Sequence, residues 1–80
     1  MKIRLVAFGI AREILQSKSL EFHLDSGESI SALKQRLFQQ YPEFSSLKSI
    51  SFAVGENYQE DSYSLQENDE VVIIPPVSGG

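Results

Sequence analysis

The six residues that close the sequence, Pro75-Pro76-Val77-Ser78-Gly79-Gly80, are the ones whose types and order could do chemistry. Two prolines hold a chain extended and stiff. Beyond them come one β-branched side chain, one small hydroxyl and then no side chain at all. Gly-Gly is the thinnest peptide available and threads a channel that bulkier residues would block. At roughly 3.1–3.5 Å per residue, the stretch from Pro76 to Gly80 reaches about 15 Å from a globular body. The reactive group is then the α-carboxylate of Gly80. A free carboxylate is a poor electrophile, but adenylation by ATP on a partner turns it into an acyl-adenylate with a good leaving group. A sulfur nucleophile then gives a thiocarboxylate, and an amine gives an amide. On either route this chain is the carried substrate, the partner supplies the catalytic groups and consumes the ATP, and no cofactor is bound stably here. The plain alternative is a frayed glycine-rich end. Two terminal glycines arise by chance about once in 200 chains, and a stiff diproline before them fits fraying poorly.

Composition narrows what the rest of the chain does. Eighty residues make one small domain. A domain of that size buries only about 60–65% of its unfolded surface, which leaves little depth for a closed pocket. There is no Cys and a single histidine, His23. Thiolate nucleophiles, disulfides and Cys-based zinc sites are therefore excluded, no metal site is expected, and an enzyme acting alone is disfavoured. Eleven acids against seven bases argue against nucleic acid as a partner. No apolar run is long enough to span a bilayer, and Lys2 and Arg4 interrupt the first residues in a way unlike a signal peptide. The expectation is a cytoplasmic domain with no membrane partner.

Charge is split along the chain. Residues 1–48 hold all seven bases and five acids, a balance of +2, whereas residues 49–80 hold six acids and no Lys or Arg, a balance of −6. A solvated acidic surface accounts for this; a basic partner steered onto the C-terminal half is the sharper reading.

The elements that must position the tail follow from periodicity. Ile3, Leu5 and Ala7 alternate with Arg4, Val6 and Phe8, which predicts a strand ended by Gly9. Ile10 to Leu15 favours one or two helical turns. Leu20, Phe22 and Leu24 alternate with Glu21 and His23, a second strand with one wet face that carries His23 as a solvated side chain. Ser29 is a good N-cap for a helix whose stripe is Ile30, Leu33, Leu37 and Tyr41, widened by Phe38 and stopped by Pro42. Ile50, Phe52 and Val54 form a third strand, and Gly55 to Asp61 a turn with a short edge strand. Asn68 suits a left-handed turn. Val71 to Ile74 is a nearly continuous apolar run, which predicts an interior strand covered on both faces, and Pro75-Pro76 ends it. One sheet with one helix across it is the simplest way to bury these faces. The predicted fold is α+β: a β-grasp, or ubiquitin-like, roll with a mixed sheet of 4–5 strands, one long helix on one face and a short helix after strand 1. The predicted division is a domain over residues 1–75 and an extended flexible tail over residues 76–80.

Phe8-Gly9-Ile10-Ala11-Arg12-Glu13 resembles the segment after the first strand in small subunits of molybdopterin synthase. Asn68-Asp69-Glu70-Val71, followed by Pro75-Pro76-Val77-Ser78-Gly79-Gly80, resembles that family's C-terminal signature. The chain departs from the usual pattern at Asn68, where glycine is common, and at Gly55-Glu56-Asn57; both departures fall in turns. The resemblance implies a β-grasp sulfur carrier of molybdenum cofactor biosynthesis. Gly80 would be adenylated by an adenylyltransferase of the ubiquitin-activating type and thiocarboxylated by a sulfur-transfer protein. Pro75, Pro76, Val77, Ser78 and Gly79 would thread into the large subunit of the synthase, in a heterotetramer of two small and two large subunits. There two thiocarboxylates supply the dithiolene sulfurs of molybdopterin, made from cyclic pyranopterin monophosphate.

Docking needs a surface, and Arg4 is more easily accommodated on the sheet face away from the helix. With Arg4 go Val6 and Phe8, and Phe8, Tyr58 and Ile74 are predicted to form an exposed apolar patch near the tail. The resemblance implies contact between such positions and the large subunit. Three other readings remain open: a carrier for thiazole or tRNA thiolation, a ubiquitin-like modifier joined to lysines through Gly80, and an interaction module whose tail is incidental.

Overall fold

A computed structural model of the chain describes residues 1–47 and 49–76. Eight elements follow in order: β1 (Lys2–Ala7), α1 (Gly9–Leu15), β2 (Ser19–His23), α2 (Ile30–Gln40), a 3₁₀ helix (Pro42–Ser46), β3 (Ser51–Val54), β4 (Asn57–Gln59) and β5 (Glu70–Ile74). The five strands form one mixed sheet in the order β2-β1-β5-β3-β4. β1 and β5 run parallel at its centre, with Leu5 beside Val71 and Ala7 beside Ile73; the other pairings are antiparallel. This is the β-grasp arrangement that the element order predicts.

Period-two alternation sets the inner face. Ile3, Leu5, Ala7, Phe22, Phe52, Val71 and Ile73 are all buried and meet Ile30, Leu33 and Leu37 of α2 in one core. Ser29 caps α2 by accepting a hydrogen bond from the Ala32 amide at 3.3 Å. Two further N–H groups of the first turn, on Ile30 and Ser31, donate to the carbonyls of Tyr63 and Asp61 at 3.0 and 2.9 Å. The loop before β5 thus anchors the helix start, and the exposed pair Lys34–Asp61 at 3.1 Å adds a weaker tie.

Pro42 stops α2 as predicted, but the chain does not then enter a loop. It tightens into the 3₁₀ helix, which drives Phe44 fully into the core, its ring stacked 6.3 Å from Phe38 and edge-on to Tyr41. Sequence periodicity has no signature for one buried aromatic on a five-residue turn. Leu65, between two polar stretches, is also buried.

Two turns adopt left-handed backbone where the sequence permits it. Gly55 has φ +64° at the first position of the two-residue loop between the paired Val54 and Asn57, a place that favours glycine. Asn68 has φ +67°, and its amide donates to the Lys2 carbonyl at 2.7 Å, holding the entry to β5 against the start of β1. No helix among the described residues is long and apolar enough to cross a membrane.

Candidate functional site

The expectation that β5 is covered on both faces is not met. Val71 and Ile73 are buried against α2, but Val72 and Ile74 on the other face are only half-buried. The cause is the single helical layer: both helices pack on the inner face, and a nearly continuous apolar run therefore leaves alternate side chains facing outward. The interior position of β5 is as predicted; no element among the described residues covers its second face.

Register shows what shares that outer face. Val6 pairs with Val72, Val72 with Ala53, and Ala53 with Tyr58, so one apolar row crosses β1, β5, β3 and β4. Ala53 is only 8% exposed yet stands apart from the helix-side core, because Val72 and Tyr58 flank it in this row. Tyr58 is 69% exposed at the edge strand, and Phe8 60% exposed beyond the end of β1. Phe8 keeps extended angles, φ −131° and ψ 160°, which continues the alternation and sets it beside Ile74, one step past the Ala7–Ile73 pair. The three predicted patch residues, Phe8, Tyr58 and Ile74, thus share one face. Tyr58 stands three strands across from Val6, about 14 Å at ordinary strand spacing, and Phe8 lies two residues further along. Val6, Val72 and Ala53 link them. The sequence reading missed these three as patch residues, although strict alternation from Arg4 and Ile74 marks Val6 and Val72. Exposed Ile10 on α1 was missed as well.

The root of the tail lies at the same end of the sheet. The β3–β5 ladder ends at Ser51–Ile74, after which neither Pro75 nor Pro76 can donate to it. Gly9 turns the chain at φ +56°, and a β-carbon built there would sit 4.0 Å from Cγ of Pro75. Pro75 therefore abuts the β1–α1 corner, next to Phe8. The other predicted tail residues, Val77, Ser78, Gly79 and Gly80, lie outside the described residues.

Little else on the described surface offers chemistry. Every buried side chain among the described residues is hydrophobic, and no three of His, Asp and Glu gather there to hold a metal. His23 is solvated as predicted, 4.0 Å from Glu21. An open cleft of about 480 Å³ is lined by Gly9, Arg12, Glu13, Gln16, Ser17 and Lys18, beside the tail root. The described part of the site is thus an open apolar surface: a row from Val6 to Tyr58, with exposed Phe8 and half-buried Ile74 beside it, next to Pro75.

Comparison with known proteins places this geometry. The profile of the ThiS family matches residues 5–80. The molybdopterin synthase sulfur carrier subunit of Arabidopsis thaliana is 32% identical over 81 residues, which take in all of this chain and 84% of that one. A putative subunit 1 of molybdopterin converting factor from Pyrococcus furiosus superposes with a TM-score of 0.87 at 20% identity, over 96% of this chain and 99% of that one. Subunits 1 and 2 of molybdopterin-converting factor from Helicobacter pylori have been solved as a complex, in which the matching chain gives a TM-score of 0.69 at 18% identity, with both chains covered in full. These solved structures share the fold. By the match over residues 5–80 and the full-length likeness to sulfur carrier subunits, the chain belongs to the ThiS family.

Proposed function

We propose that this chain is the sulfur carrier subunit of molybdopterin synthase. The observation that carries the reading is its full-length likeness, at 32% identity, to relatives bearing that name. The Gly79-Gly80 end and the apolar sheet face beside the tail root supply the two parts such a carrier needs. The folded domain spans residues 1–75, and residues 76–80 act as the extended handle.

The chemistry runs through one carbonyl carbon. The Gly80 carboxylate attacks the α-phosphorus of ATP on an adenylyltransferase of the ubiquitin-activating type, and pyrophosphate leaves. A persulfide on a sulfur-transfer protein attacks the acyl carbon and AMP leaves with one oxygen. A thiol reductant then cleaves the resulting acyl disulfide, supplying two electrons, and leaves a thiocarboxylate with sulfur where that oxygen stood. The large subunit then accepts the tail, with Pro75 to Gly79 threading in. The thiocarboxylate sulfur bonds to a carbon of the pterin precursor, displacing an oxygen substituent, and water cleaves the acyl C–S bond, which leaves sulfur on the pterin and returns the Gly80 carboxylate. Two charged carriers supply the two dithiolene sulfurs in a heterotetramer of two small and two large subunits. Phe8, Tyr58 and Ile74, joined by Val6, Val72 and Ala53, dock on the large subunit and orient the tail toward its active site. This chain holds no cofactor; ATP belongs to the activating partner.

Intact-mass measurement on protein from its native host tests the reading. A fraction heavier by about 16 Da, oxygen replaced by sulfur, is expected. Deleting Gly80 removes that fraction and all molybdopterin formation with a matched large subunit, while thermal stability is expected to stay as it was, since the core of the described residues is built from Ile3 to Ile73. Only the unmodified mass, with the activating system present, overturns the reading. Gly80 found in isopeptide linkage to lysines would instead assign the chain to protein modification.

A further inference from the structure

The charge split of the sequence becomes a spatial one through the topology. In the sheet order β2-β1-β5-β3-β4 the strands of the N-terminal half lie on one side and those of the C-terminal half on the other. Lys2 and Arg4 on β1, with Arg12 and Lys18 in the connection from β1 to β2, belong to the first group, and residues 49–80 contribute acids alone. Lys18 stands at one corner of the sheet, just before β2, where its carbonyl accepts from the Ala7 amide at 2.8 Å; with Arg12 and Glu13 it lines one cleft, two bases against one acid. Glu56 stands at the diagonal corner, in the β3–β4 turn, and Glu70 starts β5 beside it, its carbonyl accepting from the Gly55 amide at 3.4 Å. Lys2 and Arg4 lie between these corners on the outer face of β1, with Glu21 and Glu70 flanking Arg4 in register. Among the described residues Lys34 and Arg36 are held in ion pairs, whereas Arg12 and Lys18 have no carboxylate within 4.0 Å. The apolar row of Val6, Val72, Ala53 and Tyr58 runs between a basic corner and an acidic one.

We propose that the partner surface covering this row is polarised in the opposite sense, with carboxylates over the Lys18 corner and basic side chains over the Glu56–Glu70 corner. This rests on the sulfur-carrier reading and adds the chemistry of the surface that reading requires. The apolar row alone fixes no orientation, because apolar contact is non-directional. Two opposed charged corners do fix one: they turn the partner during approach, so that the tail root meets its channel rather than solvent. The arrangement differs from simple attraction by net charge. A chain of net charge −4 would favour a uniformly basic partner, for which Lys18 is a hindrance.

The sign of two charge reversals separates these cases. Association of the full chain with the large subunit from the same organism is followed by stopped-flow at low ionic strength for the wild type, Lys18→Glu and Glu56→Lys. Both positions are exposed, and circular dichroism checks that each variant keeps the fold. Each reversal is expected to slow association by about threefold or more, with dissociation little changed. The difference from wild type should fade at about 0.5 M salt, where the Debye length falls below the spacing of exposed charges. Faster association of Lys18→Glu with slower association of Glu56→Lys shows a uniformly basic partner and overturns the proposal. The reverse pattern, or no change in either variant, overturns it equally. Failure of the wild type to bind or to acquire the extra sulfur mass overturns the sulfur-carrier reading itself, an outcome distinct from all of these.

Discussion

On the inner face of the sheet Ile3, Leu5, Phe52, Val71 and Ile73 are closed off from water, while on the outer face Val6, Val72 and Ile74 of the same strands stay half-open, with Phe8 and Tyr58 largely bare. Side-chain chemistry hardly differs between the two sets. What differs is the neighbour: α2 and the 3₁₀ helix cover one face, and no element among the described residues covers the other. An apolar surface left open on so small a domain costs solubility without adding stability, and a partner surface is the physical reason to keep it. The inner face sets whether the chain folds, and on the proposed reading the outer face meets the partner.

Substitutions on each face can break that division. The largest effect is expected at Phe44: Phe44→Ala empties the centre of the core and should cost about 3–5 kcal/mol in urea unfolding, a large share of the stability of a domain this size. On the outer face, Phe8→Ala and Tyr58→Ala should each weaken binding to the large subunit by about 1–2 kcal/mol in calorimetry, as exposed aromatic anchors do. The same two variants should shift unfolding by less than about 0.5 kcal/mol, since neither side chain enters the core. A large loss of stability at Tyr58, or unchanged binding in both variants, would erase the distinction between the faces. The smallest effect is expected at a position on neither face. Asn68→Gly relieves the left-handed backbone at φ +67° while loosening the unfolded chain, for a net gain of about 0.5 kcal/mol in the same unfolding assay.

Much of the scaffold was legible because its signals are local. The alternation of Ile3, Leu5 and Ala7, the stripe of Ile30, Leu33 and Leu37, the Ser29 cap and the Pro42 stop each act over a few residues, and each forms as read. The outer face was half-legible. Phe8, Tyr58 and Ile74 stand on it, but their connection through Ala53 depends on pairing between β3, β4 and β5, which no single stretch encodes. Phe44 and Leu65 were not legible, since a lone apolar residue between polar neighbours reads as surface until distant elements close over it.

By itself the sequence determined the kinds of element, where they start and stop, the slender Gly79-Gly80 end and the unequal charge of its two halves, because propensity, capping and composition reside in the chain. Only the tertiary structure decided that β5 is covered on one face, that an apolar row crosses four strands, and that Lys18 and Glu56 occupy opposite corners. Strand order and helix placement carry those decisions. They arise from burying every inner-face residue at once, a requirement on the whole chain that no local pattern can express.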